Sequence, residues 1–156
     1  MGAEIERKYL VDTAAWTPRD DGELFVQGYL SSHKERVVRV RREGERGVIT
    51  IKGATRSVTR AEFEYPVPAA DADAMLKLCE QPLIEKHRHK EQHGAHLWEI
   101  DVFHGVNEGL VVAEVELTSE DEQVDAPAWA IREVSDDPRY YNANLVAHPF
   151  STWTKA

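Results

Sequence analysis

The stretch "EIERKYLV", residues 4–11, alternates between charged and apolar positions. Successive side chains of a strand point to opposite faces, so Glu4, Glu6 and Lys8 share one face and Ile5 lies on the other. Strands commonly bury an apolar face and expose a charged one. The fold therefore depends on whether this charged line faces solvent or an interior.

Composition limits the class of protein. The chain has 156 residues, 42% hydrophobic and 30% charged, which predicts one globular domain over residues 1–156. A net charge of -9 argues against a nucleic-acid polymer as partner, but a local cationic cluster can still hold a small anion. The sequence lacks a membrane-length apolar run, and its charged N-terminus predicts no secretory signal. The lone Cys79 fits a reducing compartment, so a cytoplasmic protein without a membrane partner is expected.

Strand-like segments bounded by turn residues dominate the chain. They fall at residues 3–11 and 24–32, in a hairpin over 36–53, at 58–68, in a second hairpin over 83–103, and at 109–118. Helices are expected at 69–80, after a cap at Ser119, and within 136–149. The predicted fold is mainly β, an eight-stranded antiparallel barrel with a few flanking helices.

The alternation of residues 4–11 recurs in every later strand, and the sign of the charge is sorted. The second strand places the uncharged Gln27 and Tyr29 together, and cations or acids occupy one face of each of the others: Arg39 and Arg41, Lys52, Glu62 and Glu64, Lys86 and Arg88, Glu99 and Asp101, Glu114 and Glu116. For any single strand, a solvated face is the simpler interpretation. The sorting across all of them favours a barrel whose charged faces line a tunnel, with the apolar faces covered by the helices.

A charged tunnel is stable only when its charges are paired or solvated. Water, divalent cations and a polyanion would meet that need, because arginine suits phosphate oxygens and carboxylates suit Mg²⁺ or Mn²⁺. His87 and His89 form an H-x-H pattern on the opposite face. They are interpreted as surface residues, with transition-metal binding as a minor alternative.

The ordered motifs resemble those of the CYTH superfamily, the triphosphate tunnel metalloenzymes, in its short bacterial form. They are E-x-E-x-K at 4–8, QGYL at 27–30, RVRR at 39–42, TIK at 50–52, EFE at 62–64, EKHR at 85–88, WEIDVF at 98–103, AEVEL at 113–117 and RYYNANLV at 139–146. The resemblance covers essentially the whole chain. It implies an eight-stranded tunnel, a triphosphate substrate, and Mg²⁺ or Mn²⁺ as cofactor.

The resemblance also implies roles by position. The metal ligands would be Glu4, Glu6, Glu114 and Glu116. The phosphate-binding residues would be Lys8, Arg39, Arg41, Lys52, Lys86 and Arg88. Lys8 and Tyr29 resemble a catalytic pair, and further acidic tunnel residues would be Glu62, Glu64 and Asp101. Glu99 and Gln27 are equally well explained as wall residues.

The expected reaction is hydrolysis of a triphosphate, with inorganic tripolyphosphate, yielding pyrophosphate and phosphate, as the preferred substrate. The alternatives are a class IV adenylate cyclase, a thiamine triphosphatase, and a polyphosphate-binding module without activity. The resemblance raises homodimerisation as an option, although no single patch of the sequence requires it.

Overall fold

The strands of the computed structural model pair in one antiparallel sheet, and the structure describes residues 3–153. The strands are β1 (Glu4–Val11), β2 (Glu23–Ser31), β3 (Arg36–Glu43), β4 (Arg46–Gly53), β5 (Thr59–Arg60), β6 (Glu62–Val67), β7 (Ile84–His93), β8 (His96–Phe103), β9 (Val111–Glu116) and β10 (Ala130–Glu133). The helices are α1 (Ala69–Leu76) and α2 (Asn144–Ala147), with 3-10 turns at Gly105–Asn107, Pro138–Tyr140 and Phe150–Thr152. Each helix among these residues is too short to span a bilayer.

Eight strands follow one another around a lumen in the order β1-β9-β8-β7-β2-β3-β4-β6. The predicted fifth strand is split at Ala61 into β5 and β6. While β6 pairs with β4, β5 returns to β1 through Glu4↔Arg60 and Ile5↔Thr59. The two ends of the curved sheet therefore meet through a two-residue ladder, and a continuous ladder does not close the barrel. The mainly antiparallel, barrel-like fold is confirmed.

The helices differ from expectation more than the strands do. Helix α1 ends at Leu76 rather than near residue 80, and the helix expected within 136–149 is a 3-10 turn followed by the one-turn α2. The prediction of a helix after Ser119 was wrong, because these residues form bends and turns. The Ser119 hydroxyl bonds to Asp121, and Glu122 folds back to accept hydrogen bonds from Thr118. Local side-chain bonds of this kind compete with helix formation, and the chain continues into β10.

Two apolar clusters cover the outside of the sheet. Val40 of β3 packs with Ala72 and Leu76 of α1 and with Cys79, as the predicted helical cover requires. The larger cluster joins Trp98 and other residues of β1, β8 and β9 to Trp16 and Trp129, which come from connecting segments rather than helices. Trp129 packs edge to face against both Trp16 and Trp98, so these three tryptophans belong to the core.

A third apolar cluster lies on the lumen side of the strands. Tyr29, Val37, Ile84, Phe103 and Val112 occupy the same faces as the tunnel charges, but at one end of the lumen, where Leu145 and Val146 of α2 cover them. The lumen is therefore charged over part of its length and filled with apolar side chains at one end. The alternation of residue types alone did not reveal this change along the axis.

Candidate active site

The lumen-facing sides of eight strands, most of them charged, enclose a cavity of about 750 Å³. Its wall includes all but one of the predicted site residues: Glu4, Glu6, Lys8, Tyr29, Arg39, Arg41, Lys52, Glu62, Glu64, Lys86, Arg88, Glu114 and Glu116. The exception, Asp101, is 2% exposed and lies behind the wall against Lys86 and Arg88. The charged faces of the strands, including Glu4, Glu6 and Lys8 of β1, therefore line an interior rather than the outer surface.

Every predicted phosphate-binding cation has a carboxylate partner, and most of these partners lie on other strands. The nitrogen–oxygen distances are 3.5 Å for Lys8–Glu114, 3.7 Å for Arg39–Glu64, 2.6 Å for Arg41–Glu43, 3.1 Å for Lys52–Glu4, 2.8 Å for Lys86–Asp101 and 2.7 Å for Arg88–Asp101. These pairs offset the desolvation that each cation suffers in the lumen.

Lys8 is deeply buried where β1 passes the C-terminal segment. Its Nζ lies 3.3 Å from the carbonyl oxygen of Tyr140 and 5.6 Å from the centre of the Tyr141 ring. Burial by itself would lower the pKa of Lys8, but Glu114 and Glu6 outweigh it and raise the pKa. Lys8 is therefore a stable cation. The Tyr29 hydroxyl accepts a hydrogen bond of 3.0 Å from the side-chain amide of Gln27.

Lys86 lies deepest, at 1% exposure. Its Nζ donates to Asp101 at 2.8 Å and to Oδ1 of Asn142 at 2.9 Å. Burial lowers the pKa of Lys86 to about 7, with Arg88 adding repulsion and Asp101 opposing it. Its charge therefore depends on the neighbouring anions more than that of any exposed lysine would.

Glu6 and Glu114 are diagonal neighbours on the β1–β9 ladder, in which Glu6 pairs with Glu116 and Lys8 pairs with Glu114. Burial raises the pKa of Glu6 well above its usual value, and the charges of Glu114 and Glu4 raise it further. Burial would also raise the pKa of Glu114, but Lys8 and Arg88 outweigh it and hold that pKa well below its usual value. Glu114 forms ion pairs with Lys8 and Arg88, whereas Glu6 forms no ion pair within residues 3–153 and is attracted by Lys52 and Lys8 only at longer range.

A second carboxyl pair lies beside Lys52. Its ammonium lies 3.1 Å from Glu4 and 3.4 Å from Glu62. Burial and the hydrogen bond to Glu4 raise the pKa of Glu62 to about 7. Burial and crowding with Glu4 therefore make Glu62 titrate near neutral pH rather than in the acidic range of a free carboxyl group.

The donor chemistry around Glu6 fits a hard divalent cation. Glu4, Glu6, Glu114 and Glu116 offer carboxylate oxygens, the ligands that Mg²⁺ and Mn²⁺ take in proteins. Burial is the largest cause of the raised pKa of Glu6, and the negative charges of Glu114 and Glu4 add to it; a bound cation would offset this repulsion. Three acidic or histidine side chains are not gathered at one metal position anywhere in the described chain, and Glu4 is engaged with Lys52. Binding would therefore require the Glu4–Lys52 pair to separate.

The H-x-H histidines lie outside the lumen, as expected, but the interpretation of both as surface residues was wrong for His89. His89 is 6% exposed and packs against Trp16. His87 forms a hydrogen bond of 2.7 Å with His104. Aromatic packing and this hydrogen bond account for the two residues.

Two contributions to the lumen escaped the sequence analysis. The segment from Tyr140 to Asn142 brings a carbonyl to Lys8 and an amide oxygen to Lys86 and Gln27. Phe25 lies on the lumen side of β2, beneath two arginines. Residues 139–146 were assigned to a helix within 136–149. Their contacts with Lys8 and Lys86 had no local signal in the sequence.

Comparison with known proteins agrees with this architecture. The CYTH domain family matches residues 2–143. The inorganic triphosphatase of Acetivibrio thermocellus is 44% identical over 154 residues, covering 98% of this chain and 99% of that protein. The inorganic triphosphatase of Nitrosomonas europaea is 33% identical, covering 91% of this chain and 95% of that protein.

A solved structure supports the same relationship. The crystal structure of an inorganic triphosphatase superposes with a TM-score of 0.65 at 31% identity, covering 92% of this chain and 97% of that chain. The barrel-like sheet, the inward charges and these similarities define the class of protein. The chain belongs to the CYTH domain family.

Proposed function

We propose that this protein hydrolyses inorganic triphosphate to pyrophosphate and phosphate in the charged lumen. The observation that carries the proposal is the convergence of six cations from β1, β3, β4 and β7 on one cavity of about 750 Å³. Inorganic triphosphate is favoured because both curated relatives, which match this chain over nearly their full lengths, are inorganic triphosphatases.

The cations would bind the phosphates by exchanging partners. In the structure each is paired with a carboxylate, so the guanidinium and ammonium groups are already buried and oriented. Phosphate oxygens would replace some of these carboxylates without a further cost of desolvation. Preorganised charges of this kind stabilise the transition state of phosphoryl transfer, which depends on positioning and electrostatics.

Mg²⁺ or Mn²⁺ would be held by Glu4, Glu6, Glu114 and Glu116. When bound, such an ion neutralises phosphate charge and lowers the pKa of water. The carboxylates supply oxygen ligands from β1 and β9, whose register places Glu6 opposite Glu116 and Lys8 opposite Glu114. Lys8, adjacent to this set, holds its proton at Nζ and would orient the phosphate under attack. Tyr29 would limit the room beside it.

A substrate panel tests the proposal. Tripolyphosphate, ATP and thiamine triphosphate would be incubated with Mg²⁺ or Mn²⁺, and phosphate, pyrophosphate and cyclic AMP would be measured. We expect phosphate from tripolyphosphate as the fastest reaction, and its loss by at least about 100-fold in Lys8→Met. Lys34→Met, at the rim of the same cavity, is the matched control for removing one positive charge.

The alternatives have distinct outcomes in this panel. Cyclic AMP from ATP without release of orthophosphate would identify a cyclase. Faster turnover of thiamine triphosphate would change the assigned substrate. Tight binding of tripolyphosphate without any product would identify a binding module, and the proposal would then be rejected.

A further inference from the structure

Phe25 is an apolar ring in the charged part of the lumen. It is 3% exposed, and in the register of the sheet it lies opposite Lys86 of β7 and Glu43 of β3. The three apolar clusters formed by the described residues do not include it. Phe25 is therefore buried among charged side chains rather than in an apolar core.

Two arginines of the proposed phosphate-binding set lie over this ring. The guanidinium carbon of Arg41 is 4.6 Å from the ring centre, and that of Arg88 is 5.0 Å from it. The face of an aromatic ring carries partial negative charge, so it attracts a guanidinium group, most strongly where water is excluded. One neutral side chain thus contacts two cations that repel each other.

The two arginines differ in how else they are held. Arg88 is tied to Asp101 at 2.7 Å, Glu114 at 3.1 Å and Glu99 at 3.3 Å. Arg41 forms an ion pair with Glu43 alone among the described residues. The Glu43 carboxylate fixes one edge of the Arg41 guanidinium, and the ring of Phe25 fixes its face. Without the ring, Arg41 would lose the contact that supports the face of its guanidinium group.

We propose that Phe25 is a positioning residue that holds the guanidinium groups of Arg41 and Arg88 in the orientation in which they bind the phosphates of the substrate. This inference rests on the proposed triphosphatase function. Phe25 acts through the two arginines and does not touch the reacting atoms. Because both arginines bind phosphate before and during the reaction, loss of the ring weakens binding in both states and raises KM more than it lowers kcat.

Substitutions that remove the aromatic face of Phe25 but keep most of its volume test this role. Phe25→Leu and Phe25→Met keep apolar bulk without an aromatic face, whereas Phe25→Tyr keeps the face. We expect KM for tripolyphosphate to rise about tenfold in the Leu and Met variants, with kcat within about twofold of the native value. Phe25→Tyr should stay close to the native KM. Phe63→Leu, which removes a ring from the outer face of β6, is the matched control and should change neither constant.

Calorimetric titration of tripolyphosphate in the presence of EDTA measures the same effect without turnover. The dissociation constant should rise by the same factor in Phe25→Leu and Phe25→Met. Thermal melting identifies which variants are folded, and either of the two suffices. Unchanged KM and dissociation constant in a folded Leu or Met variant would overturn the inference, as would an equal loss in Phe25→Tyr.

The two proposals fail in different ways. If the native protein binds tripolyphosphate but releases no phosphate, the proposed function is rejected, and the dissociation constants still decide the role of Phe25. If the native protein hydrolyses tripolyphosphate and the folded Leu and Met variants behave like it, the function stands and the positioning role is rejected.

Discussion

Replacing Asp101 by Asn removes the carboxylate at the base of the lumen. Asp101 is 2% exposed, and it bonds to Lys86 at 2.8 Å and to Arg88 through two bonds of 2.7 and 2.8 Å. Burial by itself would raise the pKa of Asp101, but Arg88 and Lys86 outweigh it and lower the pKa. Asp101 is therefore ionised, and Asn keeps its shape without its charge.

The loss in free energy of unfolding depends on the cations that Asp101→Asn leaves without this carboxylate. Removing one partner of a buried ion pair typically destabilises a protein by about 3–5 kcal/mol, because the other charge stays buried without compensation. Arg88 keeps Glu114 and Glu99, whereas Lys86 keeps the neutral oxygen of Asn142 as its one close partner among residues 3–153. We therefore expect a loss of about 3 kcal/mol, which corresponds to about 6–12 °C in melting temperature for a domain of this size.

Urea unfolding followed by tryptophan fluorescence measures the loss. Glu45→Gln is the control, because Glu45 is 98% exposed and lies 3.7 Å from Arg42, and such surface pairs contribute less than about 1 kcal/mol. Tripolyphosphate added with EDTA should stabilise Asp101→Asn more than the native protein, since phosphate oxygens can then pair with the freed cations. A loss below about 1 kcal/mol, or an equal stabilisation of both proteins, would refute this account of the lumen charges.

Three further outcomes can be measured. Gly28→Ala should lower stability by about 1–3 kcal/mol, because a new Cβ would lie 2.7 Å from atoms of both Cys79 and Leu83; an unchanged urea midpoint would contradict this. Hydrogen bonds from Thr118 and then His96 lower the pKa of Glu122 to about 2, so its stabilisation is present above about pH 4.5 and is lost as the pH falls towards 2. Glu122→Gln should accordingly melt below the native protein at pH 7 and together with it near pH 2. Glu116→Ala should lose metal-dependent phosphate release by at least about 100-fold and still fold, since Glu116 is exposed at the end of β9; retained activity would remove it from the metal ligands.

The period of two along the strands was enough to predict which side chains share the lumen. This prediction holds for β1, β3, β4, β6, β7, β8 and β9. A strand whose register slipped by one residue would turn all of its apolar side chains to the opposite face, so the register is strongly fixed. The same period could not predict that the lumen side changes from charged at Lys86 and Asp101 to apolar at Ile84 and Phe103. That change depends on where α2 covers the sheet, which is a long-range contact without a local sequence signal.

Side chains that act through others were harder to predict. Phe25 reads as an ordinary core residue, because its position over Arg41 and Arg88 depends on the pairing of β2 with both β3 and β7. Asn142 was assigned to the short helix predicted within residues 136–149. Its role as an acceptor for Lys86 appears only when the C-terminal segment is folded against the lumen. The Ser119 segment misled for the opposite reason, since a local capping signal was overridden by its bonds to Asp121 and Glu122.

The balance of charge in the lumen links the fold to its substrate. Nine lysine and arginine side chains and nine acidic ones line the cavity, so carboxylates oppose the positive charge with which it could attract a polyanion. The raised pKa values of Glu6, Glu62 and Glu99 have burial as their largest cause, with carboxylate repulsion adding to it. Divalent cations would reverse the balance and free Lys8, Lys52 and Arg88 from their carboxylates. Tripolyphosphate binding should therefore tighten at least tenfold when Mg²⁺ or Mn²⁺ replaces EDTA, by about 1.4 kcal/mol or more. Equal affinity in EDTA and in Mg²⁺ would mean that the cations alone bind the phosphates and that the carboxylates serve only to hold them.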